Sequence, residues 1–183
     1  MPIAYVPVDI QEPAELVQAI RQRRGGTLIN LDRMLLHSAP FARGWNSFLG
    51  EVRKNLSLSP KLREIAICGV AVLNGAEYEF FHHAPELLAA GASQAQVDAL
   101  RAIGTPQFNP TLFNPLEQDA IELTVFMTRE VVVPQALMDR LAQTLGNTQT
   151  VELVGVIATY NMVSRFLIAL NVTPEDHPPT PLS

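Results

Sequence analysis

A chain of 183 residues, 48% apolar and only 17% charged, can bury one substantial core and lies far from disordered composition. Its net charge of −5 offers nothing to neutralise a phosphate backbone, which excludes a nucleic-acid binder. The single cysteine, Cys68, excludes an internal disulfide framework and a cysteine-based zinc site, and it fits a reducing, cytoplasmic setting. The opening MPIAYVPVDIQEP lacks the basic and apolar regions of a signal peptide. Apolar runs are broken by Glu, Arg, Asn or Gly before they reach 18 residues, so a soluble protein without membrane contact is expected.

In chain order the periodic segments are helical. Pro13 opens a helix to residue 23, closed by Gly25-Gly26. Residues 31–37 form a second, short candidate. Residues 40–56 form a third, with Phe41, Trp45, Phe48, Leu49 and Val52 on one face, more suited to a core than to a ligand platform. Ser59 caps a fourth helix with Pro60 at its first position, and its apolar stripe runs from Leu62 to Leu73. Asn74-Gly75 marks a break. The next helix, 76–90, stops at Gly91, and Pro85 inside it predicts a kink after His82-His83. Ser93 and Gln96 form a capping box for 94–103, and the Pro-rich stretch 104–115 reads as a loop.

Asn114, Pro115 and Glu117 open a helix to about residue 129, followed by a short extended link, 131–133. Pro134 starts a helix that ends near Gly146, and a last, strongly apolar helix covers about 149–170. The expected fold class is all-α. Three regions follow: an N-terminal helical arm, 1–38; a main domain, 39–172; and a Pro-rich tail, 173–183, either disordered or lying along a partner. The segments REIAICGVAVLN (63–74) and VELVGVIATYN (151–161) share the order Glu, apolar run, Asn, a pattern open to internal duplication or to the common look of two apolar helices.

Chemistry concentrates between residues 64 and 83. Glu79 and His83 are four apart and share a helix face, the arrangement of a proton-transfer site or of an exposed Glu–His pair. Glu64 lies one helix earlier, where a hairpin would bring it to the same place. Tyr78 and His82 flank the pair and add hydrogen-bonding groups. Cys68, four residues after Glu64, faces the same side, as a reactive thiol or as a small buried apolar group. Adjacent histidines on a helix point about 100° apart, so no metal site is expected. Tyr160, Asn161 and Arg165 are polar groups in an apolar helix and need partners, by lining a pocket, tying helices together or meeting another subunit.

The spacing Glu64-x11-Ala76-x2-Glu79-x3-His83, within LSPKLREIAICGVAVLNGAEYEFFHHAPELLAAGAS, resembles the signature of the alkylhydroperoxidase D / carboxymuconolactone decarboxylase superfamily. The likeness covers roughly residues 40–172 and includes the segment at 117–120 and YNMVSR at 160–165. It implies an alkylhydroperoxidase D-like helical bundle. In the peroxidase branch a proton relay runs from the acid matched by Glu64, through the histidine matched by His83, to a cysteine at the place of Glu79. Tyr78 stands where a residue assists that relay. The two peroxidase cysteines are Ala76 and Glu79 here, and a carboxylate cannot take up an oxygen atom and be recycled as a thiolate is.

The resemblance therefore implies the branch without the cysteine pair: cofactor-independent acid–base chemistry, such as decarboxylation of a small organic acid or lactone. On that reading His83 is the general acid/base, Glu79 its orienting partner and Glu64 a proton relay, with Tyr78 beside them. His82, Tyr160, Arg165 and Cys68 would line the substrate site, and Arg165 or Arg63 would anchor a substrate carboxylate. Two alternatives stand beside it: a peroxidase using Cys68 with an external reductant, and a small-molecule-binding member without catalysis. A homo-oligomer, trimer or hexamer, is also implied, since several apolar helices would otherwise expose a large patch.

Overall fold

The computed structural model describes residues 3–175, all helix, turn and loop with no strand among them. The chain divides into two compact units, one made by residues up to Leu56 together with those from Leu170, the other by Ser57–Ala169. In the first, α1 (Ala14–Arg23) and α2 (Asn30–Leu35) pack on α3 (Ala39–Lys54). The helix α3 buries Ala42, Trp45, Leu49 and Val52, a stripe at helical spacing, while Phe41 stays half-exposed against Trp45. The expected arm, 1–38, is thus part of a larger unit that also contains α3.

The returning C-terminal segment joins that unit through polar contacts. Thr173 N–H donates to the Tyr5 hydroxyl at 2.9 Å, and Asn30 Nδ2 donates to the Thr173 carbonyl at 2.9 Å. Asp32, buried at the first turn of α2, accepts from Arg23 (3.2 Å) and Arg24 (3.0 Å). The reading of the tail as disordered or partner-bound falls, beyond residue 175, outside the described residues.

The second unit is built around α4 (Pro60–Asn74), which packs against α5 (Glu77–Ala89), α6 (Gln94–Leu100), α7 (Pro115–Arg129) and α8 (Gln135–Ala169). Its start is fixed twice. Ser59 Oγ accepts from Leu62 N–H, and the Glu152 carboxylate accepts from Ser57 N–H, Ser57 Oγ and Leu58 N–H at 2.8–3.1 Å. Ile65, Ala66, Ile67, Cys68, Val70 and Ala71 are all fully buried, so α4 is surrounded rather than one-sided. Gly69 makes the close approach possible, since a Cβ there would lie 3.1 Å from Ile103 Cδ1 and Thr124 Cγ2. Gly75, at φ +70°, turns the chain from α4 into α5 as the Asn-Gly pair predicts.

The helix α5 runs through Pro85 to Ala89, and the carbonyl left without an amide partner is that of Phe81. Two local expectations are corrected. The helix α6 ends at Leu100 rather than 103 and continues as turns to Gly104. Val131, expected as extended, sits in the left-handed region at φ +67° after α7. The 35-residue α8 is interrupted at Gly146 (φ +73°, ψ +169°), where the sequence places the boundary between two helices. By length and composition α8 is long and apolar enough to cross a membrane, unlike the runs counted from the sequence, and 44% of its most apolar window is buried within the fold.

Candidate active site

The α4–α5 hairpin brings Glu64 and His83 together. Glu64 Oε2 lies 2.7 Å from His83 Nδ1, and Glu64 Oε1 accepts from Arg63 Nε at 3.1 Å. Burial alone would push the Glu64 carboxyl up; the hydrogen bond and charge of His83, followed by those of Arg63, outweigh it and hold the group below its ordinary value. An ionised carboxylate only accepts, so the proton of the pair sits on His83 Nδ1. With Nδ1 committed to Glu64, proton exchange at the ring falls to Nε2. The pair is partly sheltered, with side-chain exposures of 6% for Glu64 and 12% for His83.

Tyr160 of α8 completes the setting. It is fully buried, and its ring meets His83 edge-on with centroids 5.1 Å apart. Tyr78 is buried one turn before His82, and the two rings lie 4.5 Å apart, while Phe81 meets His82 edge-on at 5.2 Å. Glu79 is buried on the same hairpin, and the carboxylate at His83 Nδ1 is that of Glu64. Cys68 is fully buried. Burial pushes its thiol well up, and the negative charges of Glu64 and Glu79 add to the effect, against a smaller opposing influence of Arg101. That environment disfavours a thiolate.

Arg165 is placed differently from the expectation. It is exposed, and its Nη1 donates to the carbonyl and to Oδ1 of Asn161 at 2.9 and 2.6 Å. The positive neighbours of Glu64 are His83 and Arg63, so of the two expected anchors Arg63 is the one at the pair. Asn161 in turn ties helices together. Its Nδ2 donates to Thr128 Oγ1 in α7 (3.0 Å), and its Oδ1 accepts from Asn74 Nδ2 in α4 (3.1 Å), which also donates to Ser164 Oγ (2.7 Å). The two asparagines that end the matching segments 63–74 and 151–161 thus bond directly to each other. Asn74 reads from sequence only as a turn residue; its matching position opposite Asn161 was the available signal. No group of three or more His, Cys, Asp or Glu suited to a metal occurs among the described residues.

Fold and site together define an all-α protein whose α4–α5 hairpin holds a sheltered acid–histidine pair. Residues 39–123, a little under half of the chain and including Glu64 and His83, match the model of the Carboxymuconolactone decarboxylase family. Solved structures share the fold at low identity. An uncharacterized peroxidase-related protein from Silicibacter sp. TM1040 superposes with a TM-score of 0.76 at 14% identity, covering 100% of this chain and 98% of its own. An alkylhydroperoxidase AhpD core protein from Ralstonia eutropha JMP134 gives 0.76 at 17% identity, with coverages of 96% and 94%. The debrominase Bmp8, as a cysteine-to-alanine variant in complex with 2,3,4-tribromopyrrole, gives 0.72 at 15% identity, also with 96% and 94%. No curated protein sequence matches at a significant level.

Proposed function

We propose that this chain catalyses cofactor-independent proton transfer on a small organic acid or lactone, with decarboxylation as the reaction. The observation that carries this reading is the 2.7 Å Glu64–His83 bond inside the hairpin, beside a cysteine whose surroundings disfavour the thiolate. In such a step the bond between the substrate carbon and its carboxylate breaks, CO2 leaves, and the electron pair moves into the conjugated carbonyl. His83, protonated at both ring nitrogens, then delivers its Nε2 proton to carbon, keeps the Nδ1 proton hydrogen-bonded to Glu64, and regains one at Nε2 from water. Glu64 holds the ring in the required tautomer and balances the imidazolium, and Arg63 supplies the adjacent positive charge for a substrate carboxylate. The fold relatives include peroxidase-related proteins and a debrominase, so the reaction type rests on the residues at this site and not on the fold.

The test is CO2 release, with solvent deuterium incorporation, across a panel of small unsaturated lactone acids and keto acids. Loss of general acid–base catalysis is worth about 10²–10⁴-fold, so His83→Ala should reduce turnover by that order and Glu64→Gln by a smaller factor. Hydroperoxide turnover with a thiol reductant should be absent in wild type and Cys68→Ser alike. Peroxidase activity that disappears in Cys68→Ser would replace this reading with the thiol one. Substrate binding without turnover, unaffected by His83→Ala, would replace it with a binding role.

A further inference from the structure

Most cations of the Ser57–Ala169 unit already have partners. Lys61 is paired with Glu117, Arg63 with Glu64, and Arg140 with Asp119 and Glu122, while Arg165 bonds to Asn161. Arg129 is exposed in the last turn of α7, where a cation suits the helix terminus. Arg101 is different. It ends α6 half-buried, and among the described residues no side chain or carbonyl bonds to its guanidinium. What the cation does touch is a ring: its central carbon lies 4.3 Å from the centre of Phe80, which is itself buried. A guanidinium over a ring face uses its own flat side, so its N–H groups point outward in the plane, matched to the two oxygens of a carboxylate. The ring also holds the cation in place before a ligand arrives, which lowers the entropy lost on binding.

Phe80 and His83 are three residues apart on α5, so they are neighbours on one side of the helix, about 5–6 Å apart at Cβ. The cation over Phe80 is thus within the span of a small organic acid from the imidazole. Its charge also reaches the Cys68 thiol, which senses Glu64 and Glu79 as well, so all three charges surround the same stretch of the hairpin. Two buried carboxylates repel an anionic substrate unless an uncommitted cation opposes them. Arg63 lies beside the pair but shares its charge with Glu64 at 3.1 Å, which leaves Arg101 as the open fork. Such a fork stabilises a carboxylate as an ion and does not help it depart as neutral CO2. The group that Arg101 takes is therefore one that the substrate keeps.

We propose that Arg101 is a specificity-determining residue, which binds through a two-pronged bond an anionic group that the substrate keeps through the reaction. The role given to that group rests on the acid–base reading of His83; the binding does not. Titration calorimetry with maleate and glutarate, each beside its monomethyl ester, tests it. Wild type should prefer a diacid over its ester by about 10–100-fold, the worth of hydrogen bonds to a charged group. Arg101→Met keeps an unbranched chain over Phe80 without the charge and should abolish that preference. Arg101→Lys restores the charge but not the fork, and should recover part of it. The preference is a ratio within one protein, so it does not depend on the fraction folded. An unchanged ratio in Arg101→Met, or a wild type that binds neither diacid better than its ester, would overturn the proposal. The two readings fail separately. Diacid binding that depends on Arg101, in a protein that releases no CO2 from any acid, would refute decarboxylation and support the anchor. CO2 release with KM unmoved by Arg101→Met would refute the anchor and leave the reaction standing.

Discussion

A buried carboxylate stays ionised only when donors hold it, and Glu64 has two, His83 and Arg63. Its folded form therefore binds a proton more weakly than the unfolded chain does. As pH falls through the ordinary carboxylate range, the unfolded chain takes up that proton first. The stability Glu64 contributes is complete above that range and is lost as pH drops toward its lowered folded value. Glu64→Gln should cost about 1–3 kcal/mol at neutral pH. It should also flatten the acid limb of a Tm-against-pH curve, so the two proteins converge at low pH. A parallel loss at every pH would mean that Glu64 acts through shape alone. At this scale the sequence was informative about which residues matter and silent about which atoms meet. The four-residue spacing pointed to Glu79 as the ring's orienting partner, but the hairpin turn at Gly75 brings Glu64 to Nδ1, nineteen residues away in sequence. Arg165, a plausible carboxylate anchor from its position, is exposed and bonded to Asn161.

Helix ends were legible because caps are local. Ser59, Ser93 and Asn114 each accept from the backbone as their sequence positions predict. The interruption of α8 is the clearest case, since Gly146 adopts φ +73° with ψ +169°, a region that L side chains rarely enter. Gly146→Ala should therefore destabilise the protein by about 1–3 kcal/mol in thermal or urea unfolding, although a Cβ there would meet nothing within 4 Å. An unchanged midpoint would mean that the two halves of α8 can join as one straight helix. Pro85 lies inside α5, which runs on to Ala89, close to the stop that Gly91 marks in the sequence. The polar ties between Asn74, Asn161, Ser164 and Thr128 were hidden, because they join three helices distant in the chain.

Cys68 reports on the molecule as a whole, because α4 is enclosed by four other helices of its unit and the thiol has no exposure. A thiol reagent can reach it only when the Ser57–Ala169 unit opens. Labelling under native conditions should thus be slow and should accelerate with urea in parallel with unfolding, one thiol per chain. Rapid labelling of the folded protein would reveal a local path to Cys68 and reopen thiol chemistry. The sequence by itself determined the all-α class, most helix ends and the likeness to the Carboxymuconolactone decarboxylase family, since helical periodicity, caps and motif spacing are short-range properties. Only the tertiary structure decided that Glu64 is the partner of His83 Nδ1, that Tyr160 meets the ring, that Cys68 is enclosed beside carboxylates, and that Arg101 lies over Phe80. Each of these depends on contacts between helices far apart in the chain, whose geometry is set by packing and not by any one segment.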